Sequence, residues 1–497
     1  MTPLEIARPR PSGRASAGAI SNGVTRWLSR RHPRYIRSLV YMLQASEYNI
    51  GDFFRWHERV RDFRSVEKRK QLVFSAKATA LLVFGWVVLL FMLIGAVIIF
   101  LSVSSPWNYV LSALLLLEAP LVVMVGLLLA VASVRVIQGP FERFIVACAK
   151  KRLAEHRGVK IAIAGSFGKT SMREVLKTVL SEGKKVAAPP DSYNTPLSIA
   201  RFVRGLKGDE DVLIFELGEY YPGDVRALAR AVQPTWGFVT GVNEAHLEKF
   251  KTLERTTGTI FELAEFVDAS RLYVNGESAL ARSRAKSSNV LYTREGAGDW
   301  RIENPETGLL GTTFMLTKNG AMVRAHSGLC GLHSLGVLAA AADIASRLGL
   351  TNAEIERGLA RTKPFAHRLE PKQWPDKVTF IDDSYNGNPD GARAAIEFLS
   401  SLQGRRWYVT PGLVEGGARA KDIHEEIGRT LAAAGIEKVA LIRTSVAHHI
   451  EAGLNEGGFN GEMLWYSDMP ACLAALRASA LPGDIILVQN DWPDQYA

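Results

Sequence analysis

Cysteine is scarce: Cys148, Cys330 and Cys472 are the only three in 497 residues, and they lie far apart. That spacing excludes a disulfide framework and a cysteine-based zinc site, and it suits a reducing compartment. No fixed-period repeat is present, which removes solenoids and propellers. No cleavable signal peptide is evident. The first 25 or so residues, rich in Arg, Ser, Gly and Pro, read as a short unstructured tail of loosely transit-peptide-like composition. Basic residues are not interleaved with aromatics as in RNA-binding surfaces, so the net charge of +10 does not argue for nucleic acid. Charge is missing altogether from residues 78–103, and residues 107–134 carry a single charged group, Glu118.

Each of those two runs is long enough to span a bilayer with some tilt. A buried hairpin in a soluble core would be shorter and apolar on one side only. The link "SSPW" is short and uncharged, while both outer flanks are basic, with "EKRKQLVFSAK" before and Arg135, Arg143, Lys150, Lys151 and Arg152 after. The positive-inside rule then predicts a multi-pass protein of the cytoplasmic membrane, with both termini and everything after the second span cytoplasmic. Residues 1–77 hold 16 Lys and Arg against six Asp and Glu, an excess equal to that of the whole chain. The basicity is therefore a signal for an anionic membrane surface. "YIRSLVYMLQASEYNIGDFFRWHERVRDF", from Tyr35, has the periodicity of one or two helices lying near that surface. Glu118 is either an intramembrane functional group or a polar contact near Pro120.

"KIAIAGSFGKTSMREVLKTVL" begins at Lys160. Its first six residues read as a buried strand. Met172, Val175, Leu176, Val179 and Leu180 recur at helical spacing, which predicts a helix from about Thr170. Strand, glycine turn and helix make a phosphate loop. Gly165 and Gly168 let the amides of Ser166, Phe167 and Ser171 turn inward, and the helix N-terminus favours an anion. Lys169 can reach the outer phosphates, and the Thr170 hydroxyl can ligate Mg²⁺. The plain alternative is a helix cap after a tight turn. The loop is short: Ile163 stands where a first glycine is usual.

Strand and helix signals then alternate: "DVLIFELGE", "TWGFVTGV" and "RLYVNGE" are strands, residues ~283–328 are short β pieces, and "LHSLGVLAAAADIASRLG" is a helix. A second α/β pattern starts near Pro364 with "VTFIDDSYNGNP", "RRWYVTPG", "KVALIRTS" and "DIILVQND". The fold class is α/β behind a two-helix transmembrane hairpin. The expected organisation is 1–77 basic tail and membrane-proximal helices, 78–136 two spans, 137–157 linker helix, 158–365 ATP-binding domain and 366–497 Rossmann-like C-terminal domain. Four features fall at strand ends, where open parallel sheets bind ligands. They are Glu216, His246, Arg368 and the pair Asp382–Asp383. Carboxylate and imidazole can ligate Mg²⁺ beside a triphosphate, and arginine can neutralise a transferring phosphoryl group. Each could also be a solvated strand-end residue.

"GSFGKTSMREVL", "DSYNTPLSIARF", "FELGEYYPGDVRAL", "AHLEKFKTLE", "GLHSLGVLAAAADIA", "HRLEP" and "DDSYNGNPDGARAAI" together resemble the Mur ligase superfamily, in family order over roughly residues 158–430. Within it they are most similar to the type that joins D-alanyl-D-alanine to a UDP-muramoyl tripeptide. "LQASEYN" and the tail from "VTPGLVEGG" resemble a membrane-anchored subgroup. The resemblance implies a central P-loop ATPase domain and an ATP- and Mg²⁺-dependent amide ligase. Its substrates would be a nucleotide- or lipid-linked cell-envelope precursor and an amino acid or dipeptide. It implies catalytic roles for Lys169, Glu216, His246 and Arg368, with Thr170, Glu216 and His246 at metal. Asp382 and Tyr385 would contact the nucleoside when the domains close. Asn194, Thr195 and His424 would lie toward substrate. Three departures stand out. Ile260 occupies the usual place of a carbamylated lysine. Ser334 and Val337 replace asparagines that usually meet adenine. The N-terminal UDP-binding domain is replaced by the apolar helices.

Overall fold

The computed structural model describes residues 25–490 except 47, 61, 68–70, 191–192, 244–249, 251, 375–376, 386 and 414–418. The chain divides after Phe141 into two compact units.

In the first unit the two uncharged runs form the helix Ala76–Ser102 and the first part of the helix Trp107–Glu155; both are long and apolar enough to cross a membrane. The second continues without a break through the segment expected as a separate linker, with Pro120 and Pro140 inside it. Each proline deletes one backbone hydrogen bond, a loss that neighbours can offset. The two helices pack through small residues. A side chain at Gly126 would touch Phe84 and Val88, and one at Gly95 would touch Leu115, while Gly85 leaves room for Ile36 of the helix Tyr35–Ala45. Ser112 Oγ donates to the Ala96 carbonyl at 2.8 Å across the pair. Small residues let the two backbones come close, and a single polar bond then ties them together. The outward face carries exposed Phe84, Trp86, Leu90, Phe91, Ile94 and Leu101. The helix Tyr35–Ala45 packs Ile36, Leu39, Val40 and Leu43 with Ala78, Leu81, Val123 and Leu127 of both long helices. Asn49 caps the following helix Ile50–Arg59 by accepting from the Gly51 and Asp52 amides.

The second unit holds two sheets. The first comprises β1 (Val159–Ala164), β2 (Val186–Ala187), β3 (Val212–Glu216), β4 (Trp236–Val239), β5 (Leu272–Asn275), β6 (Val290–Thr293), β7 (Gly296–Ala297), β8 (Trp300–Gly308), β9 (Gly311–Lys318) and β10 (Ala321–Ser327). Its order is β10-β9-β8-β7-β6-β5-β4-β1-β3-β2, parallel from β2 to β6 and antiparallel beyond. Alternation builds a core on each face. Ile161 and Ile163 meet the helices Lys169–Leu180 and Leu335–Arg347, while Ala162 and Ala164 meet Leu153, Val203 and Leu228 on the other side. Alanine at β1's second face lets those helices approach closely. The second sheet comprises β11 (Glu370–Trp374), β12 (Val378–Asp383), β13 (Arg406–Thr410), β14 (Lys438–Ile442), β15 (Glu462–Tyr466) and β16 (Ile485–Gln489). Its order is β11-β12-β16-β13-β14-β15, with only β11 antiparallel.

Candidate active site

β1 ends at Ala164, and the helix Lys169–Leu180 starts four residues beyond Gly165. The loop between them turns through positive φ at Gly165 (152°) and Gly168 (78°). A side chain at Gly165 would collide with the Thr240 hydroxyl. That hydroxyl donates to the Phe167 carbonyl, and Ser166 N–H donates to the Gly241 carbonyl at 2.7 Å. The Phe167 ring lies so close to Gly241 that any side chain there would strike it. The loop is thus pinned to the end of β4. Ser166 Oγ is buried and has no hydrogen-bond partner among the described residues. An orphaned hydroxyl inside a glycine loop at a helix N-terminus fits a phosphate oxygen.

Lys169 Nζ reaches back to the Gly165 carbonyl and pairs with both oxygens of Glu219, at 2.6 and 2.8 Å. Thr170 Oγ1 donates to Glu216 Oε2 at 3.3 Å, and the Arg173 guanidinium lies 2.8 Å from Glu216 Oε1. Glu216 ends β3, level with Ile163 of β1 in the register, which brings the carboxylate beside the loop. The Asn194 carbonyl accepts from Gly218 N–H at 3.0 Å, so Asn194 lies against the turn after β3. Thr195 is exposed and caps the helix Pro196–Arg204 in a reciprocal box with Ser198. Ser171 sits in the first turn of the loop's helix. His246 lies outside the described residues.

Arg368 is half-buried in the link between the two sheets. Burial pushes its pKa down, and the nearby Asp383 and Glu216 carboxylates act against that. Its guanidinium lies 5.1 Å from the centre of the exposed Tyr385 ring. Asp382 is buried and fully engaged: it meets His367 Nδ1 (2.8 Å), Lys372 Nζ (2.7 Å) and Ser384 Oγ (2.6 Å). In this conformer it therefore faces the link rather than an open nucleoside pocket.

Two family models match: the Mur ligase middle domain over residues 163–345, and the Mur ligase glutamate ligase domain over residues 367–489. A UDP-N-acetylmuramoyl-tripeptide–D-alanyl-D-alanine ligase of Mycobacterium tuberculosis (strain CDC 1551 / Oshkosh) is 31% identical over 355 residues, covering 66% of this chain and 69% of the relative. The chain belongs to the Mur ligase family. The ligase of the same name from Escherichia coli (strain K12) is 28% identical over 303 residues, 60% of this chain and 67% of its own. In fold, MurF ligase from Thermotoga maritima, solved in complex with ADP, superposes with a TM-score of 0.63 at 23% identity, covering 70% of this chain and 80% of that one. MurF from Acinetobacter baumannii gives 0.61 at 21% identity, covering 70% and 77%. As a Mur ligase, the protein is an ATP-dependent, ADP-forming enzyme that joins an acid to an amine.

Ile260, Ser334 and Val337, where the sequence departs from the family pattern, and His424, whose expected role was toward substrate, have these surroundings. Ile260 is fully buried in the apolar cluster with Leu263, Val239 and Val274, where no charged group could be held. Ser334 donates its hydroxyl to the Gly331 carbonyl at 2.8 Å, and Val337 packs on the core. His424 is buried, with Nε2 accepting from Leu413 N–H at 2.9 Å and Nδ1 donating to the Ala420 carbonyl. Both ring nitrogens are committed to backbone, so His424 holds a loop and has neither nitrogen left for substrate; burial pushes its pKa down. Sequence reasoning passed over Arg173 and Glu219. Arg173 was findable, because it is one helical turn beyond Lys169 and shares its face. Glu219 gave no signal beyond being a second carboxylate past a strand end.

Proposed function

We propose that this Mur ligase is anchored in the membrane and couples a substrate carboxylate, by way of an acyl phosphate, to an amino acid or dipeptide in making a cell-envelope precursor. The observation that carries the reading is the convergence of Lys169, Thr170 and Glu216 at one strand–helix junction, with Arg368 entering from the link to the second sheet. ATP would supply a phosphoryl group and Mg²⁺ would neutralise its charge. Lys169 and the loop amides would hold the β- and γ-phosphates, and Thr170 and Glu216, with His246, would carry metal. Arg368 would meet the charge that develops on the transferring group. A carboxylate oxygen attacks the γ-phosphorus as the bond to ADP breaks. The amine nitrogen then attacks the acyl carbon, phosphate leaves with the electron pair of its C–O bond, and the new amide loses a proton. Catalysis is positioning and charge neutralisation. The relatives' printed name supports a UDP-muramoyl tripeptide and D-alanyl-D-alanine as first probes.

The two apolar helices and the basic flank support the anchor. They precede the two matched Mur ligase domains. A tether raises the effective concentration of a membrane-borne precursor, with both termini and the catalytic part in the cytoplasm. Purified protein incubated with ATP, Mg²⁺ and envelope precursor extracts should yield a new amide by mass spectrometry. Ile260 and Val337 favour a second reading, a weakened homologue acting as a nucleotide-sensing scaffold. That reading requires nucleotide binding with no amide product from any extract.

A further inference from the structure

Arg368 stands between two residues of unusual backbone. His367 has φ 61° and Leu369 has φ 41°. Neither is glycine, and Leu369 is branched and buried. Residues held in the left-handed region persist only where surrounding contacts over-determine them. Here those contacts come from the end of β12. The Leu369 amide donates to Asp383 Oδ1 at 3.1 Å. The His367 ring meets Asp382, and the His367 carbonyl accepts from Tyr385 N–H at 3.4 Å. Leu369 itself is seated in the core of the second sheet with Ile381, Tyr408 and Leu487. Asp383 is further held by Gln489 Nε2 at 3.2 Å, from the neighbouring strand β16.

We propose that Asp383 is the positioning residue for Arg368: its carboxylate fixes the left-handed turn at Leu369 and faces the guanidinium, which aims Arg368 at the loop beside Glu216. The inference rests on the reading above that Arg368 meets the phosphates. One carboxylate does two things that another residue type would separate. One oxygen accepts from the turn's amide while the group's charge offsets the burial of the arginine. Arg368 lies in the chain's crossing between the two sheets, so a fixed turn also fixes the direction from which the second half of the enzyme delivers its cation. Without the clamp the turn would relax toward negative φ and the guanidinium would swing away, while the loop around Lys169 stayed intact.

The full-length protein is compared with Asp383→Asn, Arg368→Ala and the double variant. Phosphate release is followed with ATP, Mg²⁺, UDP-muramoyl tripeptide and D-alanyl-D-alanine. Exchange of the Leu369 amide is followed by hydrogen–deuterium exchange. Arg368→Ala should lower kcat by roughly 100-fold or more. Asp383→Asn should lower kcat roughly 10- to 30-fold with KM for ATP within about 3-fold, and should cost less than about 2-fold once Arg368 is gone. Leu369 exchange should quicken by about tenfold or more in a further variant, Asp383→Ala, which removes the acceptor that asparagine would keep, and stay unchanged in Arg368→Ala. Equal losses in both backgrounds, or unchanged exchange at Leu369, overturn the clamp. A full-speed Arg368→Ala variant overturns the role given to Arg368, and the clamp with it. Should the probes not be turned over, the substrate reading fails and the exchange measurement alone decides the clamp. Should Asp383→Asn not fold, Asp383→Glu keeps the charge but moves it outward, and the same coupling to Arg368 is required of it.

Discussion

Lys169 and Glu219 form a closed ion pair: Nζ lies 2.6 and 2.8 Å from the two carboxylate oxygens, and Glu219 is 3% exposed. The cation that would hold phosphate is already satisfied before nucleotide arrives. Nucleotide must compete with a buried carboxylate. Glu219→Gln should therefore tighten ADP binding about 3- to 10-fold by calorimetry, and lower Tm by several degrees, because breaking one side of a buried pair leaves the other unpaired. Weaker binding would mean that Glu219 itself contacts the nucleotide or its metal.

Removal of the lysine tests the loop. Lys169→Ala should cut phosphate release by roughly 100-fold or more through loss of the cation at the β- and γ-phosphates, with circular dichroism unchanged. Turnover at the wild-type rate would end the nucleotide assignment.

Ile260 predicts independence from bicarbonate. An isoleucine sealed in an apolar cluster cannot carry a carbamate. Ligation or ATP hydrolysis should be unaffected by CO₂ depletion. A strong bicarbonate requirement would reveal another lysine in that role.

Acid should weaken the enzyme through Asp383, whose carboxyl burial pushes up to about 6. Arg368, Asp382, Tyr408 and Gln489 face it. Raised in the folded state, this carboxyl favours folding below the ordinary aspartate range, and its contribution is lost as pH rises through 4 to 6. The term is about 2–3 kcal/mol. Asp383→Asn removes it, so the variant's Tm relative to wild type should rise by a few degrees between pH 4.5 and pH 8. Activity runs oppositely: kcat should fall below pH 6 as the charge beside Arg368 is neutralised. A flat kcat from pH 5 to 8 would count against that electrostatic role.

The anchor is tested on vesicles. A form lacking residues 1–140 should keep ADP affinity. It should lose activity on precursor embedded in anionic vesicles, less so at high precursor concentration. Equal rates for both forms on soluble UDP-linked precursor, with no gain for full length on vesicles, would remove the membrane-substrate idea.

Local pattern was enough to read the phosphate loop, the two apolar helices and the strand–helix alternation. Each depends on neighbours in sequence: glycines where φ must be positive, period-2 and period-3.6 burial, and charge almost absent from two long apolar runs. Gly165 and Gly168 are where that reading and the structure coincide most closely. The antiparallel extension β7–β10 was legible only as short β pieces, because pairing partners are not encoded by one strand alone. His424 looked like a substrate residue, and only its burial between Leu413 and Ala420 made it a structural one. Glu219, Thr240 and the clamp of Asp383 on Leu369 were decided by tertiary structure. Each joins residues from separate strands or from the crossing between sheets, and an isolated carboxylate or hydroxyl in a sequence does not reveal which distant amide or ammonium will be brought into hydrogen-bond reach of it.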